Sequence, residues 1–235
     1  MELVILAGGF GTRLASVLDG KPKALASING VPFLLYQMQN WVSQGARSFV
    51  FLLHHEADQI IHILDIQKSA ILKNCDVYCL VEPEPMGTGG AISYMCQERK
   101  PTGDFLVTNA DTWLGGGIEQ IIQSSAPSMA VKHVPDASRY GTVKLGSNKR
   151  ITAFDEKQLK AEEGFINAGM YKLNSSFFKN WDGTPFTLES KLMPQLASDG
   201  LLSYVKIENE FIDIGVPDDY GRFQIWIASG KNKKL

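Results

Sequence analysis

The sequence predicts an α/β protein in which helices flank a mostly parallel central sheet and a smaller part of the chain is antiparallel. Strands and amphipathic helices alternate over the first half with no hairpin signal, which is typical of parallel strands joined by crossover helices. The strands there are short continuous apolar runs, such as Phe49-Val50-Phe51-Leu52-Leu53, as expected for strands buried on both faces. After Gly115-Gly116-Gly117 the chain changes to shorter strands separated by Asp, Ser, Asn and Gly, a pattern closer to antiparallel ribbons.

The elements of the first half follow from hydrophobic periodicity. Buried strands are predicted at 3–7, 48–54, 76–81 and 104–108. Apolar residues recur at helical spacing over 32–44 and 56–67, and a further helix is expected to begin at Thr88 or Gly89. A short helix at 118–123 follows the three glycines.

The elements of the second half are shorter and less regular. Strands are predicted at 128–134, 141–145 and 150–155, and another strand ends at Asp213. Thr187 is the expected N-cap of a helix, because its hydroxyl can accept a bond from an unpaired N–H group of the first turn. Pro217 is expected at the first position of the last helix, which continues to about 227.

Length and composition restrict the class of protein. A chain of 235 residues can bury about 70–75% of its unfolded surface in one core, so we expect a single domain over 1–235. The net charge of −2, with acids and bases interspersed, provides no basic field for a nucleic acid. No apolar stretch approaches the length of about 18 residues that a membrane-spanning helix needs, and no leading segment resembles a signal peptide. The three cysteines form no CxxC pair, which suits free thiols. We therefore expect a cytoplasmic protein that binds neither nucleic acid nor membranes.

A glycine-rich loop follows the first strand, in Leu6-Ala7-Gly8-Gly9-Phe10-Gly11-Thr12-Arg13. Glycines after a buried strand let amide N–H groups approach a ligand closely, so this loop predicts a phosphate cradle with Arg13 and Lys23 as fixed positive charges. A tight turn with solvated cations is the alternative interpretation. The loop matches neither GxxxxGK[ST] nor a GxGxxG motif followed by an acidic ribose ligand.

Polar residues also follow the later strands. Glu82 begins a loop that contains two prolines and then the glycines that start at Gly87. These glycines would let a flat ligand lie against the backbone. The alternative interpretation of the segment is a rigid loop with a helix cap. Asp111 follows the fourth strand and is placed to hold Mg²⁺, although strand-end aspartates also cap helices. His54 and His55 end the second strand, and histidines in that position are more often structural than catalytic.

These motifs together resemble the sugar-1-phosphate nucleotidyltransferases. The resemblance rests on Leu-Ala-Gly-Gly-Phe-Gly-Thr-Arg-Leu, on Pro22-Lys23 and on Asp213-Ile214-Gly215-Val216-Pro217, and it extends from Leu3 to about Tyr220. Ala24 replaces the second proline of the usual Pro-Lys-Pro. The resemblance implies a Rossmann-like, GT-A-like nucleotidyltransferase fold with a nucleotide-binding half at 1–125 and a sugar-binding half at 126–235.

The resemblance also implies site residues, carried over position by position. Arg13 and Lys23 would be catalytic, and Asp111 and Asp213 would hold Mg²⁺. The residues implied to bind the nucleotide are Leu6, Ala7, Gly8, Gly9, Gly11, Thr12, Glu82, Gly87, Thr88 and Asn109. Those implied to bind the sugar phosphate are Gly141, Glu156, Lys157, Asn167, Gly169 and Glu189; a cap in the first turn of a helix is the alternative for Glu189.

The implied reaction converts an NTP and a sugar 1-phosphate into an NDP-sugar and pyrophosphate. Glu82 can accept hydrogen bonds from N1–H and N2–H of guanine, whereas adenine presents an acceptor at N1, so GTP is favoured. The sequence most resembles guanylyltransferases acting on D-glycero-D-manno-heptose 1-phosphate or mannose 1-phosphate, which serve bacterial surface polysaccharides such as capsule and lipopolysaccharide.

Other functions stay open at this point. A uridylyl- or thymidylyltransferase acting on a hexose or N-acetylmuramic acid 1-phosphate would use the same chemistry, because uracil and thymine also offer a ring N–H. A non-catalytic nucleotide-sugar sensor is an alternative from another class, although such a protein would be expected to lose Arg13 or the metal-binding acids. The sequence also leaves the sugar stereochemistry open, and the choice between a monomer and a homodimer.

Overall fold

The computed structural model describes residues 1–18, 20–155 and 162–230. Its strands are β1 (Leu3–Leu6), β2 (Ser27–Ile28), β3 (Val31–Pro32), β4 (Ser48–Leu53), β5 (Asp76–Val81), β6 (Asp104–Asn109), β7 (Thr112–Leu114), β8 (Ser128–Val134), β9 (Thr142–Leu145), β10 (Ile151–Asp155), β11 (Gly164–Asn174), β12 (Ser203–Lys206) and β13 (Phe211–Asp213). Its α-helices are α1 (Ala15–Leu18), α2 (Phe33–Ser43), α3 (Ala57–Gln67), α4 (Gly87–Arg99), α5 (Ile118–Gln123), α6 (Met193–Ser198) and α7 (Pro217–Ala228).

The chain forms two compact units, each built from separate segments. The glycine-loop unit comprises Glu2–Pro83, Thr108–Ile118 and Asn209–Leu235. The central unit comprises Glu84–Val107 and Glu119–Glu208, together with Met1. The boundary between them falls within β6, so that its last two residues are counted with the glycine-loop unit.

The glycine-loop unit contains the parallel strands that the sequence predicts. β1 pairs with β4 and β4 pairs with β5, both in parallel, with Leu3 opposite Phe49 and Ser48 opposite Asp76. The apolar side chains of β4 from Phe49 to Leu53 are all buried, because helices cover a parallel sheet on both faces. The predicted bounds of β5 are correct, and the α/β fold with a mostly parallel central sheet is confirmed.

A small hairpin in this unit was not predicted. β2 and β3 pair antiparallel around Asn29-Gly30, whose φ angles are 50° and 86°. Asn-Gly is the residue pair that favours a two-residue hairpin turn, since both residues tolerate positive φ. The statement that the first half carries no hairpin signal is therefore wrong.

β7, which follows Asp111 directly, is held in place from two sides. β13 pairs with it antiparallel, so that Asp213 lies opposite Thr112. On the other side, the buried amides of Gln37 and Asn40 on α2 donate to backbone carbonyls of β7, each at 2.7 Å. These bonds satisfy polar groups that would be costly to bury unpaired, and they position the segment after β6.

The central unit contains the antiparallel part. β11 pairs antiparallel with β8 and β9, β10 pairs antiparallel with β9, and β12 joins β8 in parallel. β8 has its predicted bounds, whereas β11 was not predicted as a strand. Asn167 and Gly169 interrupt its apolar run, and the pairing with β8 shifts register between Asn167 and Tyr171, which is typical of a bulge.

The helices of the central unit begin close to their predicted positions. α4 starts at Gly87, one residue before the predicted start. Thr187 is an N-cap as expected, because its hydroxyl accepts a bond from the backbone N–H of Ser190 at 3.2 Å. The first turn after it is a π-helical turn, Leu188–Leu192, which continues into α6. Among the described residues, no helix is both long enough and apolar enough to span a bilayer.

An aromatic core anchors the last helix of the glycine-loop unit. The ring of Phe223 on α7 is fully buried and lies 4.9 Å from the ring of Phe33 and 5.4 Å from that of Trp113, between centroids. The cluster also contains Leu14, Leu18, Ala26, Ile28, Ile212 and Ile214. The segment that carries Asp213 is thus packed through its neighbours Ile212 and Ile214.

We expect Phe223→Ala to lower the free energy of unfolding by about 3–5 kcal/mol, because it removes a buried ring and leaves a cavity. Urea denaturation followed by circular dichroism measures the change. Ile225→Ala on the same helix is the matched control, because that side chain is 73% exposed and its loss should change stability by less than about 0.5 kcal/mol. Equal losses for both variants would contradict this account of the core.

Candidate active site

A cavity of about 230 Å³ lies in the glycine-loop unit, where β1 ends. The backbone N–H of Ala110 donates to Leu6 O at 3.0 Å, and that of Ala7 donates to Leu52 O at 2.9 Å, so loops from three strand ends are fastened together. The cavity is lined by Leu6, Ala7, Gly9, Gly11, Thr12, Arg13, Lys23, Ala24, Ala110, Asp111 and Gly215. Strand ends at one edge of a parallel sheet are where such folds bind their ligands.

Lys23 lies between two carboxylates in this cavity. Its Nζ is 2.5 Å from Asp111 Oδ2 and 3.6 Å from Asp213 Oδ1. The lysine side chain is only 11% exposed, so its charge is largely removed from water and depends on these partners. The structure thus brings together three residues that are far apart in sequence, since Asp111 follows Lys23 by 88 positions and Asp213 lies further along still.

Gly215 leaves room for the Lys23 ammonium and the Asp213 carboxylate. A Cβ atom added at Gly215 would lie 2.8 Å from Asp213 Oδ1 and 2.9 Å from Lys23 Nζ, closer than such contacts occur. Its backbone N–H donates to Asp213 Oδ1 at 2.8 Å, and the N–H of Ile214 donates to Asp111 O at 3.1 Å. The glycine therefore leaves room for the charges and also binds one of them.

The pKa of Asp213 reflects the same crowding. Burial raises the pKa of this carboxyl above its usual value, and the neighbouring Asp111 carboxylate raises it further. The pKa of Asp213 is lowered, in decreasing order of effect, by the charge of Lys23, by the hydrogen bond from the N–H of Gly215 and by the charge of Arg13. Two like charges are held close together here, and a cation between them relieves their repulsion.

The two aspartates fit a magnesium site. Mg²⁺ binds oxygen ligands and in proteins is commonly held by one or two carboxylates, with water and substrate phosphates completing its octahedron. No group of three or more His, Cys, Asp and Glu side chains suited to a metal occurs within residues 1–18, 20–155 and 162–230. Within those residues, Asp111 lines the cavity and Asp213 lies behind Lys23 and Gly215, which also line it; the Nζ atom of Lys23 lies against both carboxylates.

Glu82 lies elsewhere in the same unit, packed against the glycine loop. Its residue is 7% exposed, and a Cβ added at Gly8 would be 3.0 Å from Glu82 Oε1 and 3.2 Å from His54 Cβ. A side chain at Gly8 would therefore be tightly packed against Glu82 and His54. The imidazole of His54 donates from Nδ1 to the backbone carbonyl of Glu82 at 3.1 Å. That strand-end histidines such as this one are structural stays a prediction.

The central unit contains a separate network of hydrogen bonds around Glu189. Oε2 of Glu189 accepts from the hydroxyl of Thr88 at 2.9 Å, and Oε1 accepts from that of Tyr171 at 3.2 Å. The amide of Asn167 donates to the Tyr171 hydroxyl at 2.6 Å, and Asn167 Oδ1 accepts from the N–H of Gly169 at 3.0 Å. The structure thus brings Asn167, Gly169 and Glu189, all predicted sugar ligands, into one network with Thr88.

Tyr171 is the centre of this network. Its side chain is fully buried, and burial raises the pKa of its hydroxyl well above the usual value, with the charge of Glu189 adding to the effect. The hydroxyl therefore stays protonated and acts as a donor to Glu189. Tyr171 was not among the predicted site residues; a tyrosine two residues after Gly169 in an apolar run was the available signal.

Phe186 explains the glycines at the start of α4. Its carbonyl accepts from the N–H groups of Gly89 and Gly90 at 3.0 and 3.1 Å, so these two groups are already satisfied. A Cβ at Gly87 would lie 2.6 Å from Phe186 O, and one at Gly89 would lie 2.2 Å from the Phe186 ring. The sequence predicted that a flat ligand lies close to these glycines, and in the structure Phe186 lies there.

The remaining predicted residues are distributed as follows. Asn109 ends β6 in the glycine-loop unit and does not line the cavity described above. Gly141, in the central unit, accepts from the N–H of Asn167 at 2.9 Å. Glu156 and Lys157 lie outside the described residues. Cavity residues that the sequence analysis did not select are Ala24, Ala110 and Gly215, each adjacent to a selected residue or within a quoted motif.

Comparisons with known proteins show the family of this chain. The sequence model of the nucleotidyl transferase family matches residues 2–228. A D-glycero-alpha-D-manno-heptose 1-phosphate guanylyltransferase of Campylobacter jejuni is 31% identical over 227 residues, which cover 96% of this chain and 99% of that protein. A mannose-1-phosphate guanyltransferase of Emericella nidulans is 30% identical over 231 residues, covering 94% of this chain but 62% of that longer protein.

Solved structures show the same relationship. HddC from Yersinia pseudotuberculosis, crystallised with GMP-PN, matches with a TM-score of 0.82 and 31% identity, over 96% of this chain and 99% of that one. A putative glucose-1-phosphate thymidylyltransferase from Bacillus anthracis shares the fold alone, with a TM-score of 0.79 at 18% identity and coverage of 96% and 94%. Since the family model matches almost the whole chain and a relative is similar over nearly its full length, this chain belongs to the nucleotidyl transferase family.

Proposed function

We propose that this chain transfers GMP from GTP to a sugar 1-phosphate, either D-glycero-D-manno-heptose 1-phosphate or mannose 1-phosphate, and releases pyrophosphate. The observation that carries the proposal is the ammonium of Lys23 held against Asp111 and Asp213 in the wall of the glycine-loop cavity. The guanylyltransferase names of two similar proteins support the choice of substrates. The GDP-sugar formed in the cytoplasm would serve bacterial surface polysaccharides such as capsule or lipopolysaccharide.

The reaction requires charge control more than proton transfer. An oxygen of the sugar phosphate attacks the α-phosphorus, a new P–O bond forms, and the bond to the bridging oxygen of the β-phosphate breaks. The attacking oxygen is already anionic at neutral pH, so no general base is needed. The protein must instead hold two anions in line and neutralise their repulsion.

The chain's own residues suit that task. Arg13 on the cavity wall would pair with the phosphates that leave as pyrophosphate, together with amide groups of the glycine loop. Lys23 would hold the reacting phosphates, with its ammonium drawn from the two aspartates. Mg²⁺, when bound by Asp111 and Asp213, would supply positive charge to the phosphates.

The sugar would be bound by residues of the central unit. Both oxygens of Glu189 are oriented by hydroxyl donors, and each retains a free lone pair for a sugar hydroxyl. Asn167 and Gly169 belong to the same network, and we assign the sugar to these three residues with Gly141, Glu156 and Lys157. A uridylyl- or thymidylyltransferase would use the same set, so the nucleotide must be tested directly.

A substrate panel tests the proposed function. Pyrophosphate release is measured with Mg²⁺ for GTP, UTP, dTTP, CTP and ATP, each against heptose, mannose, glucose and N-acetylmuramic acid 1-phosphates. We expect turnover confined to GTP with a manno-configured sugar. Turnover with UTP or dTTP instead would overturn the nucleotide assignment, and no turnover at all would favour a nucleotide-sugar sensor.

We expect Arg13→Ala to lower turnover by roughly 10²- to 10³-fold, because it removes a charge that stabilises the leaving pyrophosphate. Lys68→Ala removes the same charge just after α3, where Lys68 pairs with Asp65, and should leave turnover within about 2-fold. Circular dichroism checks that both variants are folded. A folded Arg13→Ala protein with wild-type turnover would contradict the role of Arg13.

We expect Lys23→Met to bind Mn²⁺, a probe for Mg²⁺, about 10-fold more tightly than wild type while losing turnover. The reason is that the Lys23 ammonium competes with the metal for the same two carboxylates. Electron paramagnetic resonance of free Mn²⁺ measures the affinity without any reaction. Lys21→Met removes an exposed lysine two positions away and should leave the affinity unchanged. Weaker Mn²⁺ binding by Lys23→Met would show that Lys23 does not occupy the metal position.

We expect Glu82→Gln to lower the ratio of kcat/KM for GTP over UTP by about 10-fold, because one carboxylate acceptor and its charge are lost. Steady-state kinetics with both nucleotides measures this ratio. Glu84→Gln is the control, since Glu84 is exposed two positions further along. An unchanged ratio in Glu82→Gln would remove Glu82 as the guanine reader.

A further inference from the structure

Phe10 is a large apolar side chain that the glycine-loop unit leaves half exposed, at 51% of its surface. It stands between Gly9 and Gly11, both of which line the cavity next to the phosphate-binding loop. Burial of such a ring is favourable, so a ring left in water beside a ligand cavity is an available contact surface. The loop backbone thus presents a flat apolar group next to the place proposed for the nucleotide phosphates.

Two imidazoles hold the Phe10 ring in place. Its centroid is 5.8 Å from that of His54, with an edge-to-face angle of 75°, and 5.1 Å from that of His55, with an angle of 37°. Both distances lie in the range of favourable aromatic pairs. Phe10, His54 and His55 are called the aromatic cluster below.

The aromatic cluster is joined to Glu82. A carbonyl oxygen can only accept, so the 3.1 Å contact between His54 Nδ1 and Glu82 O places the proton on Nδ1 and fixes the ring of His54. Glu82 Oε1 and His54 Cβ both pack on Gly8, two residues before Phe10, at 3.0 and 3.2 Å from the position that a Cβ would take. The carboxylate proposed to read guanine and the cluster therefore border the same residue.

These contacts point to a function for Phe10 that rests on the proposed reaction. A carboxylate that reads the edge of a base discriminates only when the base is held in its plane, and an aromatic ring provides such a face for any base. We propose that Phe10 stacks on the guanine of GTP, and that His54 and His55 are positioning residues that hold the Phe10 ring. Phe10 is thus a binding residue for the base, additional to the loop amides that face the phosphates.

The test compares Phe10→Leu with Phe10→Trp. Leucine keeps an apolar side chain against the histidines but has no π-face, whereas tryptophan keeps one. We expect Phe10→Leu to weaken GTP binding about 5- to 100-fold, measured by isothermal titration calorimetry, and to raise KM for GTP by a similar factor with kcat changed less than about 2-fold. Phe10→Trp should restore the affinity to within about 3-fold of wild type.

Pyrophosphate, which has no base, is the internal control. Its inhibition constant should be the same in wild type and Phe10→Leu, since only a structural disturbance of the loop would change it. Tyr78→Leu is the matched control variant, because Tyr78 on β5 is another half-exposed aromatic side chain, at 42%. We expect it to leave GTP affinity unchanged.

The outcomes separate this inference from the proposed function. Equal GTP affinity in wild type and Phe10→Leu, or an equal loss of pyrophosphate binding, would overturn the stacking of Phe10 while leaving the reaction intact. Failure of the wild type to release pyrophosphate from any substrate pair would overturn the proposed reaction. The GTP affinities of wild type and Phe10→Leu could still be compared, so the stacking of Phe10 would still be tested. A wild type that binds no GTP would overturn both.

Discussion

An ammonium between two carboxylates is the interaction that organises the glycine-loop unit. Lys23, Asp111 and Asp213 come from three distant segments, and the segments of the two aspartates are fastened by contacts that do not involve charge. β7 holds the segment after Asp111 through the buried amides of α2, and β13 pairs with β7. Packing of Ile212 and Ile214 in the aromatic core then fixes Asp213. Gly215 adds to this, because a side chain at that position would crowd the Lys23 ammonium and the Asp213 carboxylate.

The central unit orients oxygen acceptors, and among its described residues the donors of this network are hydroxyl, amide and backbone N–H groups. The buried hydroxyl of Tyr171 accepts from Asn167 and donates to Glu189, and Thr88 donates to the second oxygen of the same carboxylate. A network in which each buried polar group has a partner is stable and has a defined geometry. Such a network suits the recognition of hydroxyl groups, whereas the paired charges of the glycine-loop unit suit phosphates.

Secondary structure was predictable wherever one period dominated a segment. β4, β5, β8 and the helices α2, α3, α5 and α7 all follow from uninterrupted apolar runs or helical spacing. β11 could not be recognised in this way, because a glycine at positive φ and a register shift interrupt its pattern. β7 is only three residues long and is stabilised by its pairing with β13, so it has no signal of its own, whereas the strand ending at Asp213 was predicted. The hairpin at Asn29-Gly30 did have a local signal, which was overlooked.

The amino-acid sequence by itself determined the alternation of strands and helices in the first half and the glycine-rich loop after β1, and the family resemblance selected Arg13, Lys23, Asp111 and Asp213 as predicted site residues. The strands, the helices and the loop are local features, since each depends on residue types at short spacing. Only the tertiary structure decided that Lys23 contacts both aspartates, that Phe186 occupies the space opposite Gly89, and that Phe10 packs on His54. The physical reason is that such contacts join residues far apart in sequence, and their distances depend on how whole elements pack, which no local spacing encodes.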